Sequence, residues 1–259
     1  FSVVVALSVS VIPEGLPIVM TLILATGVRR MSKNNVLVKR LQAVEALGQT
    51  KVIAVDKTGT LTRNEMVIEK VFAGGKLFEV GGKGYEPSGE IILNGSIIEP
   101  LSHPEILLSG KVAVFCANAK LSFLEDEKLW KVTGDPTEAA MMVFSKKVGF
   151  SKEIIDQEFP KILEIPFDYK NKYHAVVRKF QNNNFLSVVG APESVMSKCS
   201  KVLENGKYEK LTQEKRVKLE QEFFNLARQG LRVVAFAVNE NLKNTDSMNI
   251  PDLQDLVFG

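Results

Sequence analysis

The sequence predicts a multidomain chain of α/β and α+β class, and three observations carry that prediction. Residues 1–28 are apolar with one formal charge, Glu14, and run into the basic stretch "RRMSKNNVLVKR". "KVIAVD" (51–56) is a short β-branched run that stops at an aspartate and the turn-prone "KTGT". From about Asn64 onward, short strand-like runs between glycine-rich turns alternate with helical stretches, the pattern of a mixed α+β block.

Bulk properties narrow the function classes. With 45% hydrophobic and 24% charged residues the composition is that of a folded protein. The net charge is only +3 and the bases are mostly interspersed with acids, so no nucleic-acid stripe is formed and no nucleic-acid partner is expected. Cys116 and Cys199 lie far apart with no CxxC, which argues against a disulfide scaffold and a thiolate metal site. Phe1 opens in mid-apolar sequence, without an initiator Met, a basic n-region or a small-residue cleavage site. The expectation is a chain cut from a longer protein and beginning inside a membrane helix.

Taken in order, residues 1–28 exceed the roughly 20 residues needed to cross a bilayer. Arg29, Arg30, Lys33, Lys39 and Arg40 follow at once, and bases bordering a span mark its cytoplasmic side. Residues 1–31 therefore read as a transmembrane helix with a cytoplasmic extension, and the protein as integral to a membrane with its catalytic part in the cytoplasm. Inside that span, "SVIPEGLPIV" (10–19) sets Glu14 between Pro13 and Pro17. Proline breaks the helix and frees carbonyls. An ionisable residue at membrane depth is costly and usually functional.

"LQAVEALGQ" (41–49) has helical spacing and closes at Gly48, and "KVIAVD" has the signature of a buried parallel strand. Beyond Asn64, strands are expected at "MVIEKVFA", "KLFEVGG", "EIILNGSII", "YHAVVRKF", "NFLSVVGA" and "LRVVAFAVN". Helices are expected at "EILLSGKVAVFCAN", "DPTEAAMMVFSKKVG" and "TQEKRVKLEQEFFNLARQG".

Asp56 stands at the carboxyl end of the expected parallel strand, where open α/β sheets bind ligands. A carboxylate held there can attack a phosphoryl group and form an aspartyl phosphate. Lys57 places positive charge beside it, and the small residues Thr58, Gly59 and Thr60 let backbone groups approach phosphate oxygens and a Mg²⁺ ion.

"DKTGTLT", with "PEGLP" upstream, resembles the P-type cation-transporting ATPases: the first is their phosphorylation signature and the second lies in their fourth transmembrane helix. The resemblance implies that residues 32–63 are the N-terminal part of a Rossmann-like phosphorylation domain of the HAD superfamily. It implies an inserted nucleotide-binding domain with an antiparallel sheet over 64–254, and a return to the phosphorylation domain at 255–259. Asp56, Lys57 and Thr58 would be catalytic, with Asp56 and Thr58 at Mg²⁺. Ordinary phosphatases of that superfamily carry a second acid where this chain has Thr58, so hydrolysis of the phospho-aspartate is expected to be slow.

The same resemblance extends to "GDPTEAA" (134–140), "IPFDYKNKYHAVV", "GAPE" (190–193) and "GLRVVAFA". It implies nucleotide contacts from Glu138 near the adenine, Phe167 stacked on it, Lys172, Gly190, Ala191 and Arg232. The family's lysine before "GAPE" is Val189 here, which removes a cation from the pocket. His103 and His174 receive no role.

"PEGLP" is similar to the type II calcium pumps of bacterial and secretory-pathway kind, which also accept Mn²⁺, and some fungal-type sodium pumps share it. By this resemblance Glu14 is an ion ligand together with backbone carbonyls of Val9, Ser10 and Ile12, a partial site for an ion that prefers six to eight oxygens. The implied cofactors are ATP and Mg²⁺. The implied partners are the transported cation, with Ca²⁺ favoured, the lipid bilayer, and the rest of the polypeptide: actuator domain, other transmembrane helices and second half of the phosphorylation domain. Alone, these residues are not expected to pump. The competing readings are a sodium-pump-like ATPase, a non-catalytic membrane-tethered ATP-binding module, and a phosphatase, the last disfavoured by Thr58.

Overall fold

A computed structural model describes residues 2–10, 15–180, 183–242 and 253–259. It divides into two compact units, Phe1–Arg63 and Asn64–Gly259.

The first unit holds helices α1 (Ser2–Ser10), α2 (Leu16–Lys33) and α3 (Ala43–Gly48). Pro17 fits the first turn of α2, where its missing N–H is not needed. Arg30 and Lys33 sit in its last turn, where cations favour the helix dipole. No residue of α2 is buried, and Ile18, Leu22 and Ile23 are exposed. Among the described residues no helix is long and apolar enough to cross a membrane. The apolar run expected to form one span is divided between α1 and α2, and Ile12, Pro13 and Glu14 lie outside the described residues.

The expected parallel strand at 51–56 does not form, and Val52 and Ile53 are 82% and 79% exposed. A strand exists only through its ladder, and the described residues of the first unit contain no other strand to pair with. The β-branched run supplies propensity; pairing decides the outcome.

The second unit begins with an antiparallel meander, β1 (Lys70–Ala73), β2 (Lys76–Val80), β3 (Ile91–Leu93) and β4 (Ser96–Ile98). Asn94 and Gly95 join β3 to β4 with φ of 52° and 77°, the left-handed pair of a tight hairpin turn. Next come α4 (Pro104–Cys116), the hairpin β5 (Lys120–Leu124) and β6 (Leu129–Thr133), α5 (Pro136–Lys147) and α6 (Lys152–Glu158). Then follow β7 (Lys161–Ile165), β8 (Tyr173–Phe180), β9 (Asn183–Gly190), α7 (Pro192–Met196), β10 (Cys199–Glu204) and β11 (Lys207–Lys210). The chain continues through α8 (Gln213–Arg228), β12 (Ala235–Leu242) and β13 (Leu256–Phe258).

The strands from β7 onward form one seven-stranded sheet in the order β11-β10-β13-β12-β9-β8-β7. All its pairings are antiparallel except β10 with β13. Residues 255–259, expected to leave this block, instead contribute β13, buried and hydrogen-bonded between β10 and β12. "LVF" satisfies both neighbours because it is apolar at every position. The strand expected from Leu231 starts only at Ala235.

Side chains alternate across this sheet and feed two cores. Val176, Phe185 and Val189 join Phe115, Met142 and Phe144 on the α4–α5 side. Val177, Leu186 and Val188 join Leu219, Leu256 and Phe258 on the α8 side. Cys116 and Cys199 are both free and buried, and burial pushes each thiol up to about 12, so both stay protonated packing residues. Glu105 of α4, 3% exposed, pairs with Lys76 of β2 at 2.5 Å and ties the meander to the helix.

Phe115 sits at the middle of the first core, with ring centres of Phe185 at 5.3 Å and Phe159 at 5.8 Å. Phe115→Ala is expected to cost the second unit about 3–5 kcal/mol, the range for a buried aromatic truncation. Denaturant unfolding measures it; a loss below about 1 kcal/mol would contradict this packing.

Candidate functional site

Asp56 has an extended backbone (φ −66°, ψ 135°) and its Oδ1 accepts a hydrogen bond from Thr58 N at 3.2 Å. The following turn, Lys57–Leu61, is closed by Thr62 N donating to Lys57 O at 3.1 Å, with Gly59 at φ 77°. Asp56, Lys57 and Thr58 are all exposed. The carboxylate thus sits at the start of a loop of small residues, open to an incoming phosphoryl group. Asp56 offers one carboxylate and Thr58 a peptide carbonyl, a donor set that suits Mg²⁺ held mainly by phosphates and water. Among the described residues no group of three or more His, Cys, Asp or Glu is arranged to hold a metal alone.

The residues expected near a nucleotide lie on the second unit. Asp168 builds the loop after Phe167: its carboxylate accepts from Lys170 N at 3.2 Å and Asn171 N at 3.3 Å, and its carbonyl accepts from Lys172 N at 2.6 Å. Lys172 turns the chain into β8 with φ 57°. Its carbonyl accepts from Ala191 N at 2.9 Å, while Gly190 faces Tyr173 across the β8–β9 ladder. A Cβ on Gly190 would meet Lys172 O and lie 2.7 Å from Tyr173 Cα, so only glycine permits this approach. Lys172, Gly190 and Ala191 are therefore brought together. Lys172 Nζ pairs with Glu193 at 3.1 Å, but both groups are exposed, so the pair is weak and the ammonium is available to an anion.

Phe167 is 51% exposed and meets Tyr169 edge to face at 5.5 Å, which leaves ring surface open for stacking on a base. Glu138 sits in the first turn of α5, where Asp135 caps the helix by accepting from Thr137 N at 2.7 Å and Glu138 N at 3.2 Å. Arg232 and Thr137 line a largely apolar cavity of about 160 Å³ with Met141 and Phe236; Glu138, Phe167 and Lys172 do not line it. Val189 is buried in the first core opposite His174 and Phe236, so the family's cation is replaced by packing. Of the expected ion ligands, Val9 and Ser10 end α1, and Ile12 and Glu14 lie outside the described residues.

A polar chain that sequence reasoning missed connects these elements. Asn118, just after α4, donates from its backbone N to Glu138 Oε2 at 2.8 Å and from Nδ2 to Glu164 Oε1 at 2.6 Å. Glu164 also takes Lys161 Nζ at 2.5 Å and lies 2.9 Å from Nε2 of the buried His174. Burial would raise the Glu164 carboxyl, but hydrogen bonds from Lys161, Asn118 and His174 outweigh it and hold it at about 2. In the sequence His174 sits in an expected strand and Asn118 at the end of an expected helix, and nothing there joins them to Glu164. Only the ladder from Glu164 to Val176 and its neighbours puts His174 beside that carboxylate.

The chain matches the family described as "P-type ATPase, cytoplasmic domain N" over residues 109–258, more than half its length. It is 40% identical over 249 residues to a cation-transporting ATPase, pma1, of Synechocystis sp., which covers 92% of this chain and 26% of that protein. It is 36% identical to a calcium-transporting ATPase of Bacillus subtilis, over 90% of this chain and 26% of the relative. It is 36% identical to the calcium-transporting ATPase type 2C member 1 of Bos taurus, over 93% and 25%. The chain thus spans about a quarter of the length of these relatives.

Glu164 gives this network a pH signature. A carboxyl held at about 2 when folded and near 4.5 when unfolded adds stability that is fully present above the unfolded value and lost as pH falls toward 2. Wild type is expected to be more stable than Glu164→Gln at pH 7. That difference should shrink between about pH 4.5 and pH 2, as read from thermal unfolding at stepped pH. A difference independent of pH would exclude the ionised network.

Proposed function

The chain belongs to the P-type ATPases, and on that premise we propose that it is part of an ATP-driven cation pump, most plainly a calcium pump, cycling through an aspartyl phosphate at Asp56. What supports the nucleophile is the exposed Asp56 carboxylate within "DKTGTLT", at the mouth of a turn of small residues. In the proposed step a carboxylate oxygen of Asp56 attacks the γ-phosphorus of ATP. The new O–P bond forms as the bond to the β,γ-bridging oxygen breaks, and ADP leaves with that electron pair. Lys57 balances the charge on the transferring group. Mg²⁺, when bound at Asp56 and Thr58, supplies further charge neutralisation on the phosphates.

The nucleotide is held by the second unit. Phe167 stacks on adenine, Glu138 accepts from its amino group, Lys172 and Arg232 answer the phosphates, and Gly190 with Ala191 lets the backbone pass close. The transported ion is held in part by Glu14 and the carbonyls of Val9, Ser10 and Ile12, inside a membrane with the catalytic residues on its cytoplasmic side. The exposed apolar side chains of α2 support contact with lipid. The names of the calcium-transporting relatives, together with "PEGLP", favour Ca²⁺ over Na⁺.

Two experiments test this reading on the full-length protein. ATP is expected to label Asp56 in a Ca²⁺-dependent way and Asp56→Asn to abolish labelling; persistent labelling would mean another nucleophile, and labelling triggered by Na⁺ but not Ca²⁺ or Mn²⁺ would make it a sodium pump. Phe167→Ala is expected to weaken ATP binding by about 1–3 kcal/mol, the worth of one base–aromatic stack. Unchanged affinity in both Phe167→Ala and Lys172→Ala would remove the adenine from this loop.

A further inference from the structure

On the second unit a cleft of about 590 Å³ opens beside α6, between the end of α5, the β5 strand and the start of β7. Five cations line it, Lys120, Lys146, Lys152, Lys161 and Arg178, against two carboxylates, Glu153 and Asp156. Arg178 is the largest fully buried side chain described, 1% exposed. Its guanidinium is fixed by Phe159 O at 2.8 Å, Phe115 O at 3.3 Å and Asp156 at 2.9 Å. Lys152 leans on Val114 O at 3.1 Å and shares the same Asp156 at 3.3 Å. One half-exposed carboxylate thus serves two largely buried cations. Buried charge is costly unless fully paired, so this arrangement leaves positive potential unanswered. Burial, and next the charge of Arg178, push the Lys152 ammonium below its ordinary value, the response expected in an electropositive pocket.

At the rim, Lys120 and Lys146 have no ion-pair partner among the described residues; Lys146 rests over the Trp130 ring at 5.7 Å. Lys161 is paired with Glu164. The second acid, Glu153, is exposed and bonded to Ser151 Oγ at 2.5 Å, so water screens it. Leu121 and Met142 add an apolar wall. A cavity of this size is in the range for small-molecule ligands and exceeds what a single inorganic anion would fill.

We propose that this cleft is a second anion site, which binds a small organic phosphate carrying at least two negative charges. The fixed guanidinium of Arg178 and the anchored ammonium of Lys152 form its floor, Lys120 and Lys146 close over the ligand, and the carbon body lies on Leu121 and Met142. None of the residues assigned to the nucleotide lines it.

The test uses inorganic pyrophosphate as the probe and calorimetric titration of the full-length protein, with the nucleotide site filled by a saturating non-hydrolysable ATP analogue. Pyrophosphate is expected to bind, with affinity falling as salt is added. The double variant Lys120→Gln, Lys146→Gln changes only side chains without ion-pair partners, and is expected to weaken binding at least about tenfold, or about 1.4 kcal/mol. Lys172→Ala and Arg232→Ala, which address the nucleotide site, should leave pyrophosphate affinity unchanged. No binding, no response to the double variant, or loss of binding in Lys172→Ala or Arg232→Ala would each overturn the proposal.

Discussion

The guanidinium of Arg178 is the joint on which the second unit depends. It projects from β8, the strand next to the sheet's edge, and reaches the terminal carbonyls of α4 through Phe115 and the end of α6 through Phe159 and Asp156. Helix C-terminal carbonyls have no partner within their own helix, and Arg178 supplies donors to both ends with one planar fork. A lysine has three donors but on a rotating point charge, without the planar fork that fixes these directions. Because the fork is rigid, the helix ends, the hairpin that follows α4 and the start of β7 are set relative to the sheet. The Asn118–Glu164–His174 chain, one layer further out, inherits that placement. The position of Glu138 therefore rests on a core residue about forty positions later in the sequence.

Charge is distributed unevenly over this frame. Around Glu164 the donors and acceptors are matched, and the carboxylate is held ionised far below its usual range. Around Asp156 they are not matched, and cations exceed acids. At Lys172 the one ion pair is exposed and exchangeable. The three environments differ in how fully their charges are answered: a matched network, a cleft with more cations than acids, and an exposed pair.

Much of this was legible in the sequence, and what was not has physical causes. The α8 pattern, Thr212 before it and Gly230 after it, specifies a helix by local rules alone, and the structure has one at Gln213–Arg228. The helix expected at "DPTEAAMMVFSKKVG" is α5, and Asp135 caps it. "EIILNGSII", expected as one strand, instead turns at Asn94 and Gly95 into the β3–β4 hairpin, because both positions take a left-handed backbone. The short strands "KILEI" and "LWKVT" were missed because half their residues face water and their register depends on distant partners. "KVIAVD" was read as a strand because propensity is local whereas a ladder is not. The candidate site residues in motifs rest on the motifs. Asn118 and Glu164 belong to none, His174 lies in one but received no role there, and their meeting is a property of the sheet.

The position of β13 has a consequence for how the second unit comes into being. Leu256–Phe258 fills the seam between β10 and β12, and among the described strands it is the only link between the β10–β11 hairpin and the rest of the seven-stranded sheet. During synthesis β12 emerges first, so from Leu242 until Phe258 has been made the sheet carries two unpaired strand edges facing an empty slot. At elongation rates of about 5–20 residues per second that interval is on the order of a second, far longer than hairpin closure. The newborn unit must therefore hold an open seam while β13 is still being made, which makes this the stage at which edge-to-edge pairing with another chain competes with correct closure.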